Sequence, residues 1–183
     1  MTKKPETVKE EDLIIRKDGL YYVKYARVPF TGISEQFHTN SQLKRRENFK
    51  NGKLHGLNEL FHENGQLKWG VNFKNGQRDG LYEYYNENGQ LICRMNFKMG
   101  EKDGLVETFF KNGRLRSRGN YKNGRRDGLV ESFYKNGQLR IRHNYKTRKR
   151  DGLWEYFDEE GNLTKSETWK NGKLIEEMHH GSI

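Results

Sequence analysis

A period of 24 residues, counted from glycine to glycine, constrains this chain more than any other feature. Gly32, Gly56, Gly80, Gly104, Gly128 and Gly152 open six units with no insertion or deletion between them. A period of that length marks a repeat array, in which each unit buries its apolar side only against its neighbours. The unit beginning at Gly80 shows the pattern: Gly-Leu-Tyr-Glu-Tyr-Tyr, an Asn88-Gly89 pair, Leu91, Phe97, then a second polar turn before Asp103.

Inside a unit the apolar residues alternate with polar ones, which places them on one side of a strand. After the opening Gly come Leu or Ile, then Glu, then an aromatic, as in Leu81, Glu83 and Tyr85 or Leu129, Glu131 and Phe133. This invariant face is expected to be the structural one. Asn64-Gly65, Asn88-Gly89, Asn112-Gly113 and Asn136-Gly137 are expected to supply the positive backbone dihedrals of two-residue hairpin turns, with Asn40-Ser41 and Glu160-Gly161 as degenerate copies. The second strand carries a Leu near its start and an aromatic six residues later, such as Leu139 and Tyr145. Helix is a poor alternative, because no apolar set recurs at three and four and two turns interrupt each period.

The fold class that follows is all-β: an elongated antiparallel meander of stacked hairpins. Twelve repeat strands and two capping strands at about 4.8 Å each predict a ribbon roughly 65 Å long. Residues 1–12 read as a flexible tail, 13–31 as a capping hairpin around Asp18-Gly19, 32–175 as six repeats and 176–183 as a C-terminal cap and frayed tail. Between the last two repeats Thr147-Arg148 replaces Asn-Gly, and the expectation is a reshaped turn, since non-Gly residues disfavour positive φ.

Hydrophobic residues make up 32% of the chain and charged residues 33%, which excludes a thick two-layer core and leaves a thin one repeated along an axis. Disordered chains are poor in aromatics, whereas here two aromatics recur in every unit. The net charge of +10 favours an anionic partner. A single cysteine, Cys93, gives neither a disulfide framework nor metal-ligand spacing, and residues 1–12 lack a signal-peptide pattern, so a cytoplasmic location is expected.

No catalytic or cofactor constellation stands out. Six glutamates at one repeat position, Glu35 through Glu155, have like environments, whereas acid–base chemistry needs unlike ones; cross-strand pairing is their expected role. The histidines share no spacing, no Gly-rich phosphate loop precedes a helix, and no serine sits in an elbow motif, so no cofactor, metal or enzymatic activity is expected.

The variable positions are more informative. Arg94, Arg118 and Arg142 recur at one position of three repeats, with Arg116 and Arg140 two residues before the last two of them. Beside them the first strands offer Tyr82, Tyr84, Phe110, Tyr134 and Trp154, so a basic and aromatic face is expected to bind a partner. The partner expected first is an acidic protein; nucleic acid or an anionic membrane is the alternative, and a small-molecule substrate is not expected. Because the arginine row lies on the variable face, replacing it with glutamate is expected to leave stability nearly unchanged.

Gly-Leu-x-Glu-x-aromatic, Asn-Gly-x-Leu and aromatic-Lys-Asn-Gly, joined by Asp-Gly and preceded by Pro29-Phe30-Thr31-Gly32, resemble the bacterial variant of the MORN repeat over about residues 19–175. The resemblance implies stacked hairpins in an extended sheet. It also implies a non-enzymatic interaction module, since some bacterial members carry the label of YwqK-type antitoxins and eukaryotic arrays are associated with membrane attachment and scaffolding. An antitoxin or immunity role is the corresponding functional expectation.

Overall fold

The computed structural model describes residues 5–181. Its strands are β1 (Thr7–Lys9), β2 (Leu13–Ile15), β3 (Tyr21–Val23), β4 (Gly32–Phe37), β5 (Leu43–Lys50), β6 (Lys53–Leu54), β7 (Gly56–Phe61), β8 (Leu67–Lys74) and β9 (Gln77–Tyr85), followed by β10 (Leu91–Lys98), β11 (Glu101–Phe109), β12 (Leu115–Lys122), β13 (Arg125–Phe133), β14 (Leu139–Lys146), β15 (Lys149–Arg150), β16 (Gly152–Phe157), β17 (Leu163–Lys170) and β18 (Lys173–His179). Two compact units are present. One runs to Gln90 and includes Phe97–Gly100; the other holds Leu91–Asn96 and the chain from Glu101 onward. In both, repeat strands follow one another in chain order and pair antiparallel, giving the expected all-β meander of hairpins.

Two kinds of turn alternate, and they differ from the expectation. At Asn64-Gly65 and Asn136-Gly137 only the glycine has positive φ, 81° and 97°, while the asparagine does not. The Gly65 amide donates to the His62 carbonyl and the His62 amide to Gln66, which is a type I turn closed by a left-handed glycine, one residue longer than a two-residue loop. Asparagine is used there for its side chain: Asn64 Oδ1 accepts from the Gln66 amide, and Asn64 Nδ2 donates to the Glu87 carbonyl of the following repeat. The other turn has two positive dihedrals, as at Asn123 (48°) and Gly124 (73°). Thr147 (47°) and Arg148 (72°) reproduce them, so the expected reshaping does not occur. Pairing of Lys146 with Lys149 and Tyr145 with Arg150 holds the turn ends, and the backbone accepts the strain.

The tails are more ordered than expected. Residues 1–4 lie outside the described part, but β1 runs parallel to β4, pairing Thr7 with Ile33 and Val8 with Ser34. Those bonds are backbone bonds, so a polar sequence suffices to cover an otherwise bare edge. A Cβ on Gly32 would come within 2.4 Å of the Glu6 carbonyl oxygen, which is why this position must be glycine. At the other end β18 pairs with β17, and the His180 amide donates to the Thr164 carbonyl; of the tail expected to fray, Ser182 and Ile183 lie outside the described residues. The hairpin β2–β3 forms a separate two-stranded sheet around Gly19 and packs Tyr21 and, beyond it, Phe30 against Phe49, with centroids 4.9 and 5.6 Å apart.

The packed face is also the opposite of the one expected. Leu57, Leu81, Leu105, Leu129 and Leu153, the invariant leucines, are exposed, whereas the next residue along is buried in Asn58 and in Trp154, which is 2% exposed. The core is a layer of side chains from the variable first-strand positions and from the second-strand aromatics. Val71 and Phe49 are buried in it in the first unit.

Candidate interaction surface

Residues paired across antiparallel strands share a face, so the register decides which side chains meet. On β13 Glu131 pairs with Arg118 of β12 and with Arg142 of β14. Arg118 Nε donates to Glu131 Oε2 at 2.7 Å, Arg142 Nε to Oε1 at 3.2 Å, and Arg142 Nη1 reaches Glu155 Oε2 at 3.3 Å. Arg94 lies 3.9 Å from Glu107, and in the first unit Arg46 joins Glu35 at 2.9 Å. Burial of Glu131 opposes its ionisation, but hydrogen bonds from the two guanidinium groups outweigh it and hold the carboxyl below its ordinary pKa. These glutamates are cross-strand partners, as expected: Arg46 meets Glu35 and Glu59, and the arginines of the row meet Glu107, Glu131 and Glu155.

That pairing corrects the expected site. Within the second unit Arg94, Arg118 and Arg142 face the glutamates, on the side opposite Trp154, so they do not make one surface with that indole; within the first, Tyr82 and Tyr84 flank Glu83 on β9 and point to the side away from it. Centring each hairpin on its Asn-Gly turn places Arg142 opposite Glu131, and this counting could have found the ladder from sequence. Arg116 and Arg140 are exposed; Arg140 lies over the Tyr134 ring at 5.8 Å. Tyr134 is half-buried and donates its hydroxyl to the Phe157 carbonyl at 2.8 Å, and Phe110 borders a shallow depression with Lys111, Asn112 and Lys135.

The other side carries the aromatics. In the first unit Tyr82 stacks with Trp69 at 6.4 Å and meets Phe97 edge-on, Tyr84 pairs with Trp69 across the strands, and Arg78 covers Phe97 at 5.2 Å. In the second unit Lys102 lies over Tyr121, Arg126 over Tyr145, and Arg150 over Trp154 (4.2 Å) and Trp169 (4.5 Å). Arg126 also donates to the hydroxyls of Tyr121 and Tyr145. These cations are 24 residues apart, immediately before each Asp-Gly. Among the described residues neither Arg126 nor Arg150 makes an ion pair, so aromatic stacking positions the guanidinium groups while leaving their charge uncompensated.

Between these aromatics lies a notch. Val106, Ser117, Gly119, Val130, Ser132 and Ile141 line it, with Tyr121, Arg126 and His143 at its side. Gly119 makes the space, since a Cβ there would stand 2.9 Å from Val130 Cγ2. His143 stacks on Trp154, its Nε2 is buried without a partner, and its pKa falls to about 4 through burial and the nearby charges of Arg126 and Arg150. The imidazole is therefore neutral at neutral pH. Cys93 is half-buried, and burial pushes its thiol pKa up. Among the described residues no three of His, Cys, Asp and Glu gather as a metal site, and no helix is long and apolar enough to cross a membrane.

Compared with protein families, the chain matches the MORN repeat variant six times, at residues 30–51, 54–75, 78–99, 102–123, 126–147 and 150–171. The chain belongs to this family. MORN repeats are in general scaffolds for protein or membrane partners rather than enzymes. The matched copies begin two residues before the opening glycine, so in the last four repeats the aromatic-capping cation is the first residue of the MORN unit. No curated protein matches the sequence. Among solved structures, S. aureus TarM in complex with fondaparinux, alpha-GlcNAc-glycerol and UDP is 15% identical with a TM-score of 0.34, covering 52% of this chain and 19% of that one. The GtfA/B complex bound to UDP and GlcNAc is 16% identical with a TM-score of 0.23, covering 60% and 21%. This chain thus spans about a fifth of those chains, and likeness at this level carries no argument about activity.

Proposed function

We propose that this MORN-repeat chain is a non-enzymatic scaffold that binds an acidic protein through the aromatic face of its second unit. The observation that supports this reading is the state of Arg126 and Arg150: both are exposed, held by Tyr145, Trp154 and Trp169, and not ion-paired among the described residues. Arginine, tyrosine and tryptophan are the residue types that dominate binding energy at protein interfaces. A guanidinium fixed over an aromatic loses little further entropy when a carboxylate docks bidentately on it. The notch over Gly119 gives an apolar anchor of the partner a place beside that charge. An antitoxin or immunity role, in which the acidic partner is a toxin or effector, is the finer form of this proposal, as is a cytoplasmic setting.

The test is a comparison of wild type with Arg126→Gln/Arg150→Gln as baits in extract of the native host. Proteins retained by wild type but not by the variant are identified, purified and titrated. The expected partner is acidic and loses at least tenfold in affinity to the variant, while the variant melts within a few degrees of wild type. Equal binding of the purified partner to both baits overturns the assignment of this face.

A further inference from the structure

One edge of the second unit carries a concentration of like charge that neither the ion-pair ladder nor the aromatic face explains. Where the strands reach the turns with two positive dihedrals, Lys122 pairs directly with Arg125, Lys146 with Lys149 and Lys170 with Lys173. Like charges placed opposite each other across strands destabilise a sheet. Here three such pairs follow in succession, every member is exposed, and among the described residues none of the six makes an ion pair. Arg148 adds a further exposed cation at the tip of the middle turn. At the other ends of the strands the turns mix both signs, with Lys111 and Lys135 beside Asp158, Glu159 and Glu160.

We infer that this edge is a second binding site, for the phosphodiester backbone of a single-stranded nucleic acid. Successive pairs are two strand spacings apart, about 10 Å, so the cations stand in single file rather than over an area. A file matches a linear polyanion better than a membrane plane. Five of the six groups are lysine ammoniums, compact point charges suited to phosphate. The turn tips Asn123-Gly124, Thr147-Arg148 and Asn171-Gly172 hold no aromatic or aliphatic anchor. An acidic protein interface needs such anchors, whereas sequence-independent binding to phosphates needs none. The site is independent of the aromatic face: side chains of Lys122, Lys146 and Lys170 follow Tyr121, Tyr145 and Trp169 in the strand and so point to the opposite side.

Fluorescence anisotropy of a labelled oligothymidylate, titrated with the full chain between about 50 and 200 mM salt, tests the inference. Six phosphate contacts predict a slope of log affinity against log salt of about −4. Lys122→Gln/Arg125→Gln/Lys146→Gln/Lys149→Gln should weaken binding at least tenfold and bring the slope to roughly −1.5. Lys146→Gln/Lys149→Gln should weaken it more than the equally charged control Lys111→Gln/Lys135→Gln, with melting temperatures showing all variants folded. Arg126→Gln/Arg150→Gln should keep oligonucleotide binding, which separates this site from the protein-binding face. Absence of binding, equal loss in the control, loss in the Arg126/Arg150 variant, or equal capture by polyglutamate or phosphatidylserine vesicles each overturns it.

Discussion

The imidazole of His143 lies flat against the indole of Trp154, with ring centroids 3.7 Å apart and planes 15° from parallel. Arg150 covers the same indole at 4.2 Å, so a neutral histidine sits in a stack that also carries a fixed cation. Protonating His143 there would bring a second positive charge to the stack.

The pH dependence of stability follows. His143 has a folded pKa of about 4 against an ordinary 6.5, so the unfolded chain takes up its proton first as the pH falls. Its effect is absent above pH 6.5, grows as a destabilisation down to about pH 4, and is constant below that. For a half-buried ring the loss is on the order of 1–2 kcal/mol after solvent screening is allowed for. His143→Phe keeps a ring on Trp154 and removes the proton. Its melting temperature should fall less than that of wild type between those pH values; parallel curves would show that His143 is not the group responsible.

Glu131, 4% exposed, should be the most sensitive member of the ion-pair ladder. Glu131→Ala frees two arginines that solvent still reaches, and about 2 kcal/mol is the expected cost. Arg118→Ala/Arg142→Ala strands the carboxylate itself and should cost more, about 3 kcal/mol. Denaturant titration decides the order; a larger loss from Glu131→Ala would reverse it. The same geometry predicts that changing Arg94, Arg118 and Arg142 together to glutamate lowers the melting temperature substantially, contrary to what a free surface row would give. Loss of partner binding in that variant would then report unfolding.

The repeat, the strands and the all-β class were legible because period two and period 24 are written directly into residue identity. The pairing of glutamate with arginine was legible only in half: the glutamates read as cross-strand partners, but which residues faced them depended on register, and register depends on turn length. Centring the hairpin on Asn136-Gly137 already sets Arg142 opposite Glu131; taking the repeating residues of both strands as one common face, instead of following that pairing, set the arginines beside Trp154. The order of residues 7–12 left almost no trace in composition, because β1 is held by backbone hydrogen bonds to β4. The stacking of Arg126 and Arg150 was visible as a 24-residue recurrence before Asp-Gly, yet their neighbours come from other strands.

Tyr134 reaches across repeats, its hydroxyl donating to the Phe157 carbonyl at 2.8 Å, in the position from which His38 and His62 bond the carbonyls of Phe61 and Tyr85 in the first unit. Tyr134→Phe removes only that bond. A loss of about 1 kcal/mol is expected in denaturant unfolding, with partner affinity unchanged. If affinity falls while stability holds, Tyr134 belongs to the binding surface after all.

The turn at Thr147-Arg148 stores strain that the Asn-Gly copies avoid, and that Met99-Gly100 shares only at its first position. Its φ values of 47° and 72° are those of Asn123 and Gly124, 48° and 73°, but Thr is β-branched and neither residue favours the left-handed region. Asn and Gly tolerate it, so Thr147→Asn/Arg148→Gly should stabilise the chain by about 1–2 kcal/mol without altering the pairing of Lys146 with Lys149. The reciprocal change, Asn123→Thr/Gly124→Arg, should destabilise by a similar amount. Removing Arg148 also removes one cation from a crowded edge, and Thr147→Asn with Arg148→Lys separates the two causes, since it keeps the charge. If the glycine variant and the lysine variant are equally stabilised, the strain lies at Thr147; if only the glycine variant gains, it lies at Arg148 or in its charge, and raising the salt then distinguishes these because screening relieves charge and leaves backbone strain unchanged. Unchanged stability in both variants would mean that the sheet, rather than the turn residues, sets the energy of this geometry.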